Sequence, residues 1–499
     1  MRKYTFGLRD GVHLSFILFL LVMSGLLAGR YYLRGAEDSL AVSPERLGEL
    51  ESEESWYGIY VKNEKIGYSR TSVVTQDSLV ISTDRTYMAF QMIGRNQSLN
   101  TYSRAVTDQR MQLVSFIFTI NGEDTDYGVR GRVDGQWLNL NITVAGETRG
   151  ERLHIDEPPQ LPNTVELLLA GRELKKGLRI STTVFDPGSM ANEPLVMEVL
   201  GREKITWSAA EKEVWHIRED MGGLRVDSYV DDQGQVLEER SGMGYRMVLE
   251  DEQTAREGYW PAKGSDIQRL VAVVPDRPLP AERSLTSLKV EITGVGPDTF
   301  GLRGGFQTYE NNILEVTSVM PPAERMADSV PAVIRDVNTS PGTFVQSEHP
   351  RLLALAAQII KIGDSPAEKI RSIMRWMNSN IEKKPTFSIP NTLEVLERKS
   401  GDCNEFAVLF CSFARAAGIP TRIAMGLVYV EDAFYYHAWC ECYLGGWVSV
   451  DPIFGQFPAD ATHLRFMAGD MDRQVEILPL VGQVGIKVLD FSTGQGAAK

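Results

Sequence analysis

The chain has 499 residues, of which 43% are hydrophobic and 24% are charged, an ordinary globular composition at a length that suggests roughly three domains. Its formal net charge of −14, without a basic block that could neutralise a phosphate backbone, excludes a general nucleic-acid-binding protein. All 4 cysteines fall in the last quarter of the chain, whereas a disulfide scaffold would spread them along it.

The first predicted element is a membrane-targeting segment. Residues Leu14–Ala28 form the one long apolar run, with basic residues before it and Arg30 soon after it. A cleaved signal peptide is the alternative, but no small-x-small cleavage site is evident. We therefore expect an uncleaved single-pass anchor within residues 1–35. The basic N-terminus would lie in the cytoplasm, and the bulk of the chain would be extracytoplasmic, in the periplasm.

Residues 50–255 are predicted to form an antiparallel β-rich domain. Short runs of alternating apolar and polar residues are separated by turn signals, as in Leu138–Val144, which follows an Asp-Gly turn. One interruption, Pro162–Gly177, has helical spacing and ends at glycine, so we expect one helix there. His154 and His216 lie in acidic, strand-like contexts and are interpreted as solvated or core histidines.

A composition shift over residues 258–280 indicates a linker. A small β-module is predicted for residues 265–335, because Leu288–Thr293 alternates again. The helical part that follows begins the last domain, predicted for residues 345–490. There Ser365 opens a Ser-x-x-Glu capping box with proline at the first helical position, which predicts the start of a helix.

Cys403 lies in the stretch SGDCNEF, at the junction of a turn and an apolar run with helical spacing. Asp402 and Glu405 form an Asp-x-x-Glu capping signal, and Gly418 is the expected stop. Cys403 therefore belongs to the first turn of a helix, where unpaired backbone N–H groups and the helix dipole favour a thiolate over a thiol. A buried structural cysteine is the alternative, and it is our interpretation of the mid-helix Cys411.

A predicted β-hairpin supplies partners for this thiol. Its strands, Phe434–Tyr443 and Trp447–Val450, are joined by a tight Gly-Gly turn. Alternation and the register set by the turn place Asp451 one diagonal step from His437, within about 5–8 Å between β-carbons. Cys403, His437 and Asp451 can then act as nucleophile, base and orienting carboxylate.

The opposite face of the first hairpin strand carries Cys440 and Cys442, which we interpret as core residues. A metal site is the alternative. A Cys-x-Cys pair lacks the usual zinc spacing, however, and the chain has no second pair. We therefore predict neither a metal nor a cofactor.

Three separated blocks resemble the transglutaminase-like superfamily of papain-type thiol enzymes. They are SPAEKIRSIMRWMNSNI, SGDCNEFAVLFCSFARAAGIPTRIAMGLVYV and FYYHAWCECYLGGWVSVDPIFGQFPADATHLRF, within residues 347–490. The family's cysteine helix, its His-Ala-Trp strand and its Asp-Pro correspond to Cys403, His437 and Asp451. The resemblance implies a thiol nucleophile, an imidazole base and an orienting carboxylate, and it implies a carboxamide or peptide acyl substrate that passes through a thioester. More weakly, WYGIYVKNEKIGY resembles the half-barrel modules found beside such domains in bacterial envelope proteins.

The predicted fold is thus α+β: an N-terminal membrane helix, an antiparallel half-barrel-like β-domain, a small β-module and a C-terminal transglutaminase-like domain. The predicted protein is an exported cysteine hydrolase or acyltransferase that acts on a protein or peptide. Hydrolysis is favoured over cross-linking, because the sequence shows no acidic calcium loop of the kind expected in animal cross-linking enzymes. The alternative is a catalytically silent fold that serves as an envelope protein-binding module.

Overall fold

In the computed structural model the described residues are 53–258 and 269–493, with gaps at 62, 93–94, 123–125, 145–146, 166–167, 170–172, 189–190, 222–223, 242–243, 270, 281–284, 296–299, 319–329, 343, 385–390, 471–476, 478–479 and 481. The chain divides into two compact units, a first within residues 20–270 and a second within residues 271–499. The predicted membrane anchor lies outside the described residues. No helix among those that are described has the length and apolarity needed to span a bilayer.

The first unit is built on one antiparallel sheet of 14 strands, in the order β8-β7-β6-β5-β4-β3-β2-β1-β14-β13-β12-β11-β10-β9. The strands are β1 (Glu53–Val61), β2 (Glu64–Gln76), β3 (Leu79–Met92), β4 (Arg95–Thr107), β5 (Leu113–Gly122), β6 (Asp126–Asp134), β7 (Trp137–Val144), β8 (Glu147–His154), β9 (Arg179–Asp186), β10 (Ala191–Trp207), β11 (Ala210–Met221), β12 (Leu224–Val230), β13 (Val236–Ser241) and β14 (Tyr245–Glu250). Two meanders meet where β1 pairs with β14, and β8 and β9 are the two edges of an open sheet. A short helix, α1 (Glu252–Arg256), follows the last strand.

One face of the β1–β8 meander is apolar and buried. In β7, Leu138, Leu140 and Ile142 are at most 2% exposed. Asn139, which is half-buried, and Asn141, which is exposed, lie between them on the other face. The alternation predicted from the sequence is therefore observed, and it gives this half of the sheet one core face and one solvent face.

The helix predicted within Pro162–Gly177 is absent from its last described residues, and residues 166–167 and 170–172 lie outside the described part of the chain. The described residues there form a 3-10 turn, Pro162–Thr164, and residues 173–178 are loop and turn. Val165 and Leu168 are buried in a cluster with apolar residues of the sheet. These two apolar residues of the connection therefore pack against the sheet, as a helix lying on it would.

The two histidines of this unit behave as solvent-side residues of the sheet. The side chain of His154 is 51% exposed. His216 lies 2.8 Å from Asp227 and 2.9 Å from Glu203 and is partly exposed. Neither histidine is in contact with a nucleophile in the described part of this unit.

The second unit contains a four-stranded antiparallel sheet in the order β16-β17-β15-β24. Its strands are β15 (Leu285–Thr293), β16 (Gln307–Glu310), β17 (Ile313–Thr317) and β24 (Gly485–Thr493). Three of them come from the segment predicted to form the small β-module. The fourth, β24, returns from the far end of the described chain to pair with β15.

The rest of the second unit consists of helices against another four-stranded antiparallel sheet, in the order β22-β21-β20-β23. The helices are α2 (Ala332–Thr339), α3 (Pro350–Ile359), α4 (Pro366–Asn380), α5 (Thr392–Arg398) and α6 (Cys403–Ala416), and the strands are β20 (Thr421–Val430), β21 (Ala433–Tyr443), β22 (Trp447–Val450) and β23 (His463–Gly469), with a parallel pair of short strands, β18 (Glu382–Lys383) and β19 (Ser400–Gly401). The capping box predicted at Ser365 is confirmed at the start of α4. The whole of α6 as far as Arg415 is buried, so this helix is the centre of the unit.

A close backbone contact holds β20 against β23. A β-carbon added at Gly426 would overlap the backbone carbonyl oxygen of Leu464, so only glycine lets the two strands approach this closely. Gly426 also pairs with His437 on the other side of β20. The position of β21 therefore depends on a strand that packs closely against β23.

We predict that Gly426→Ala destabilises the second unit by about 2 kcal/mol or more, because a backbone atom must shift to admit the methyl group. The measurement is urea unfolding of the full chain. Gly301→Ala is the control, because its nearest neighbour would be the Arg465 Nη1 atom at 3.5 Å, an ordinary contact. Equal effects of the two substitutions would contradict the prediction.

Candidate active site

Cys403 is the first residue of α6, as the capping pattern predicts. The Asp402 side chain accepts a hydrogen bond from the Asn404 N–H, and the Glu405 side chain accepts one from the Asp402 N–H, both at 3.0 Å. At the other end Gly418 has a φ of 77°, the left-handed stop that the sequence predicts. Cys403 is 1% exposed, so this thiol lies in the first turn of a buried helix.

The hairpin places the two predicted partners in contact. The observed register pairs Cys440 with Val450, so Asp451, which directly follows β22, lies beside Trp439 and diagonal to His437. This is the register that the Gly-Gly turn predicts. The Nε2 atom of His437 is 2.7 Å from the Oδ2 atom of Asp451, and both side chains are 0% exposed.

The Asp451 carboxylate accepts four hydrogen bonds. Its Oδ1 atom accepts the backbone N–H groups of Ile453 and Phe454, each at 2.8 Å. Its Oδ2 atom faces the Nε2 atoms of His437, at 2.7 Å, and of His463, at 3.0 Å. Burial would raise the pKa of this carboxyl, but the two imidazoles outweigh burial and hold its pKa well below the usual range. Asp451 is therefore an ionised group in a dry interior.

His463, on β23, is a site residue that the sequence analysis does not single out. Its Nδ1 atom is 3.0 Å from the Asp460 carbonyl oxygen and 3.2 Å from the Asp460 carboxylate, and its side chain is 0% exposed. No local pattern relates His463 to Asp451. The two meet because β23 pairs with β20, a strand that precedes both in the chain.

Lys383 is a second residue that sequence reasoning misses. It pairs with Gly401 in the parallel bridge just before Cys403, and its Nζ atom donates to the carbonyl oxygen of Ile453 at 2.6 Å. Burial lowers the pKa of Lys383, although Asp451 acts in the opposite direction. One side chain thus joins the turn that leads into α6 to the loop that follows Asp451.

The remaining cysteines fill the interior, as interpreted from the sequence. The Sγ atom of Cys440 donates to the carbonyl oxygen of Ala407 at 3.2 Å, which holds β21 against the second turn of α6. Burial raises the pKa of Cys440 well above the usual value and that of Cys442 to about 12. All 4 cysteines are described, each is buried, and none of them forms a disulfide bond.

Three side chains of this site have the types of atoms that bind metals. The ligand atoms of His437, Asp451 and His463 lie within 4.8 Å of one another. Both Nε2 atoms, however, point at the same carboxylate oxygen in hydrogen-bond geometry, and a carboxylate only accepts. Each Nε2 atom therefore carries a proton in this arrangement and has no lone pair to offer a metal ion.

Comparison with known proteins supports one assignment. Residues 353–452 match the family model of the transglutaminase-like superfamily, a segment that includes Cys403, His437 and Asp451. An uncharacterized protein of Mycobacterium leprae is 25% identical over 191 residues, which are 35% of this chain and 67% of that protein.

Two solved structures also align with 42% of the chain, both at low similarity. One is a candidate cysteine protease from Cytophaga hutchinsonii, with 16% identity, 86% of its chain covered and a TM-score of 0.27. The other is a DUF1089 family protein from Pseudomonas aeruginosa, with 14% identity, 95% of its chain covered and a TM-score of 0.21. The family match therefore rests on the sequence of residues 353–452, and through it the second unit is shown to contain a domain of the transglutaminase-like superfamily.

Proposed function

We propose that the second unit is a cysteine enzyme that cleaves peptide or carboxamide bonds through a thioester on Cys403, with His437 as base and Asp451 as the orienting group. The observation that carries the proposal is the 2.7 Å contact between the fully buried side chains of His437 and Asp451. His437 lies on β21, which a hydrogen bond from Cys440 holds against α6. A buried ionised carboxylate is costly unless it is paired. Here the pairing fixes the orientation of the His437 imidazole. This ring lies on a strand that packs against the helix that carries the thiol.

The protonation states follow from the contacts. Because Asp451 only accepts, the Nε2 atom of His437 carries the hydrogen of this pair, and Nδ1 is the atom with the lone pair that takes the proton of Cys403. The helix N-terminus stabilises the thiolate that results. The thiolate attacks the acyl carbon, and the protonated His437 returns its proton to the leaving amine. Water then hydrolyses the thioester, which restores the thiol and releases the acid.

His463 is a buried cation in this scheme. Its Nδ1 atom faces the carbonyl oxygen of Asp460 and its Nε2 atom faces the Asp451 carboxylate, and both oxygens only accept. Burial would lower the pKa of His463, but its hydrogen bonds with Asp451 and Asp460 outweigh burial and raise the pKa to about 9. His463 therefore offsets the charge of Asp451 at neutral pH.

A catalytically silent binding module is the second candidate function. The burial of Cys403 and His437, each 1% exposed, favours it, because a substrate needs access to the sulfur. The reactivity of the thiol separates the two candidate functions.

We also propose that hydrolysis predominates over amine transfer and that residues 14–28 anchor the protein with its bulk outside the cytoplasm.

We predict that iodoacetamide modifies Cys403 faster than the other cysteines at pH 7. Burial keeps Cys440 and Cys442 protonated, whereas Cys403 has a helix N-terminus and a base. His437→Ala should slow the modification by about 100-fold, measured by peptide mass spectrometry on the full chain. His154→Ala, in the first unit, should leave the rate unchanged. Modification of Cys403 no faster than that of Cys411 would favour the silent module.

We predict that the enzyme releases free acid from peptides even when a labelled primary amine is present. Mass spectrometry of a peptide mixture should show at least about tenfold more hydrolysed than amine-labelled product. Cys403→Ala should abolish both products. An excess of amine-labelled product would contradict hydrolysis and favour cross-linking. It would still support the thioester on Cys403.

We predict that the second unit loses stability as the pH rises from 6.5 through about 9. The pKa of His463 is about 9 in the folded chain against 6.5 for an ordinary histidine, so its contribution is fully present below pH 6.5 and is lost through pH 9. Urea unfolding should show a loss of about 1–3 kcal/mol over this range. The transition to follow is the one that Gly426→Ala shifts.

His463→Gln should remove most of this pH dependence. His349→Gln is the matched control in the same unit, because His349 caps α3 at the surface and has no carboxylate partner among the described residues. A slope that persists in His463→Gln would show that His463 is not the group that titrates.

A further inference from the structure

The solvent face of strands β2–β8 in the first unit carries a concentration of arginine. Arg104 and Arg130 are next along their strands to Ala105 and Val129, both 0% exposed, so they point away from the core. The strand register puts six arginines on this side of the sheet, here called the arginine face: Arg70, Arg85, Arg104, Arg130, Arg132 and Arg152. The face extends over six strand spacings, about 29 Å. This positive surface belongs to a chain whose net charge is −14.

The arginines repel one another across the strands. Arg70 lies directly opposite Arg85 in the pairing of β2 with β3. Arg132 and Arg152 are both paired with Asn139, one from each side of β7. Like charges directly opposite each other, as at Arg70 and Arg85, destabilise a sheet. An anionic partner would relieve this repulsion.

The other half of the same sheet provides an internal comparison. There Arg202, Arg218 and Arg240 each have a carboxylate partner, at 2.5, 2.9 and 2.7 Å. On the arginine face Arg70 pairs with Glu54, at the rim, and the other five arginines have no ion pair with a described carboxylate. Among the described side chains that strands β2–β8 place on this face, Asp134 is acidic, and it lines the same depression as Arg130 and Arg132. The charges of the arginine face are thus left for a partner to neutralise.

Aromatic rings hold two of the guanidinium groups in place. The guanidinium of Arg85 lies 5.4 Å from the centre of the Tyr102 ring, and that of Arg152 lies 4.2 Å from the centre of the Trp137 ring. Such stacking orients the planar group and leaves its N–H edges available for oxygen acceptors. The cost of ordering these side chains on binding is therefore reduced.

We propose that the arginine face binds an extended acidic segment of a polypeptide. Arg130 and Arg132 are two residues apart on β6, about 6.6 Å along the strand, which matches the spacing of carboxylates at alternate positions of an extended peptide. Each guanidinium can hold a carboxylate through two parallel hydrogen bonds. Asn139 and Asn141 line the same depression, of about 530 Å³, and offer amide groups to the backbone of the peptide. This site is independent of the thiol chemistry of the second unit.

The test is fluorescence anisotropy with the full chain and a labelled peptide of about ten residues that alternates glutamate and threonine, long enough to run along the 9 residues of β6. We expect saturable binding that weakens with added salt and is absent for the matched glutamine–threonine peptide. The double variant Arg130→Gln, Arg132→Gln should weaken binding by at least about tenfold. Arg218→Gln with Arg240→Gln removes the same charge from the other half of the sheet and should change binding less than twofold, about the error of such a titration.

Two controls keep the test decisive. Arg130→Lys keeps the charge and loses the planar fork, so it should weaken binding less than the double glutamine variant, and thermal melting checks that each variant is folded. Equal binding by the wild type and the double variant, or no binding of the acidic peptide, would overturn the proposal. Binding of phosphatidylglycerol vesicles or duplex DNA in preference to the peptide would overturn it as well, because the face would then serve another polyanion.

Discussion

The second unit depends on one buried carboxylate. Asp451 accepts hydrogen bonds from β21, through His437, from β23, through His463, and from its own loop. In a dry interior each bond that is lost leaves the carboxylate less fully compensated, so removal of any of these donors is destabilising. The contacts that orient the proposed base are thus also contacts that hold two strands and a loop together. Stability and chemistry share one set of atoms here.

Much of the site could be predicted from the sequence, because its main parts are local. The position of Cys403 follows from a capping box within three residues, and the contact of His437 with Asp451 follows from strand alternation and one tight turn. His463 and Lys383 could not be predicted in this way. His463 reaches the site on the edge strand β23, which pairs with β20, and Lys383 reaches it through a two-residue parallel bridge. Neither feature has a local pattern.

The fold shows the same division between local and distant causes. Alternation identifies strands and their faces, as in Leu138–Val144, because it depends only on the two-residue period of a strand. Neighbours in the 14-strand order are consecutive in the chain except at one place, where β1 pairs with β14, and that pairing between remote segments has no local pattern. Within the segment Pro162–Gly177, where a helix is expected, the described residues form a 3-10 turn and a loop, and Val165 and Leu168 pack against the sheet.

The pairing of β24 with β15 has a consequence for the order in which the protein forms. β15 is a core strand, with Leu288, Val290 and Ile292 each 0% exposed, yet its neighbour β24 is synthesised last among the described strands. Until β24 arrives, the backbone groups along one side of β15 have no protein partner there, and this edge can accept a strand from another chain. During synthesis the small sheet therefore has an unpaired edge along β15. Two molecules that each pair their β24 with the other's β15 would form a swapped dimer.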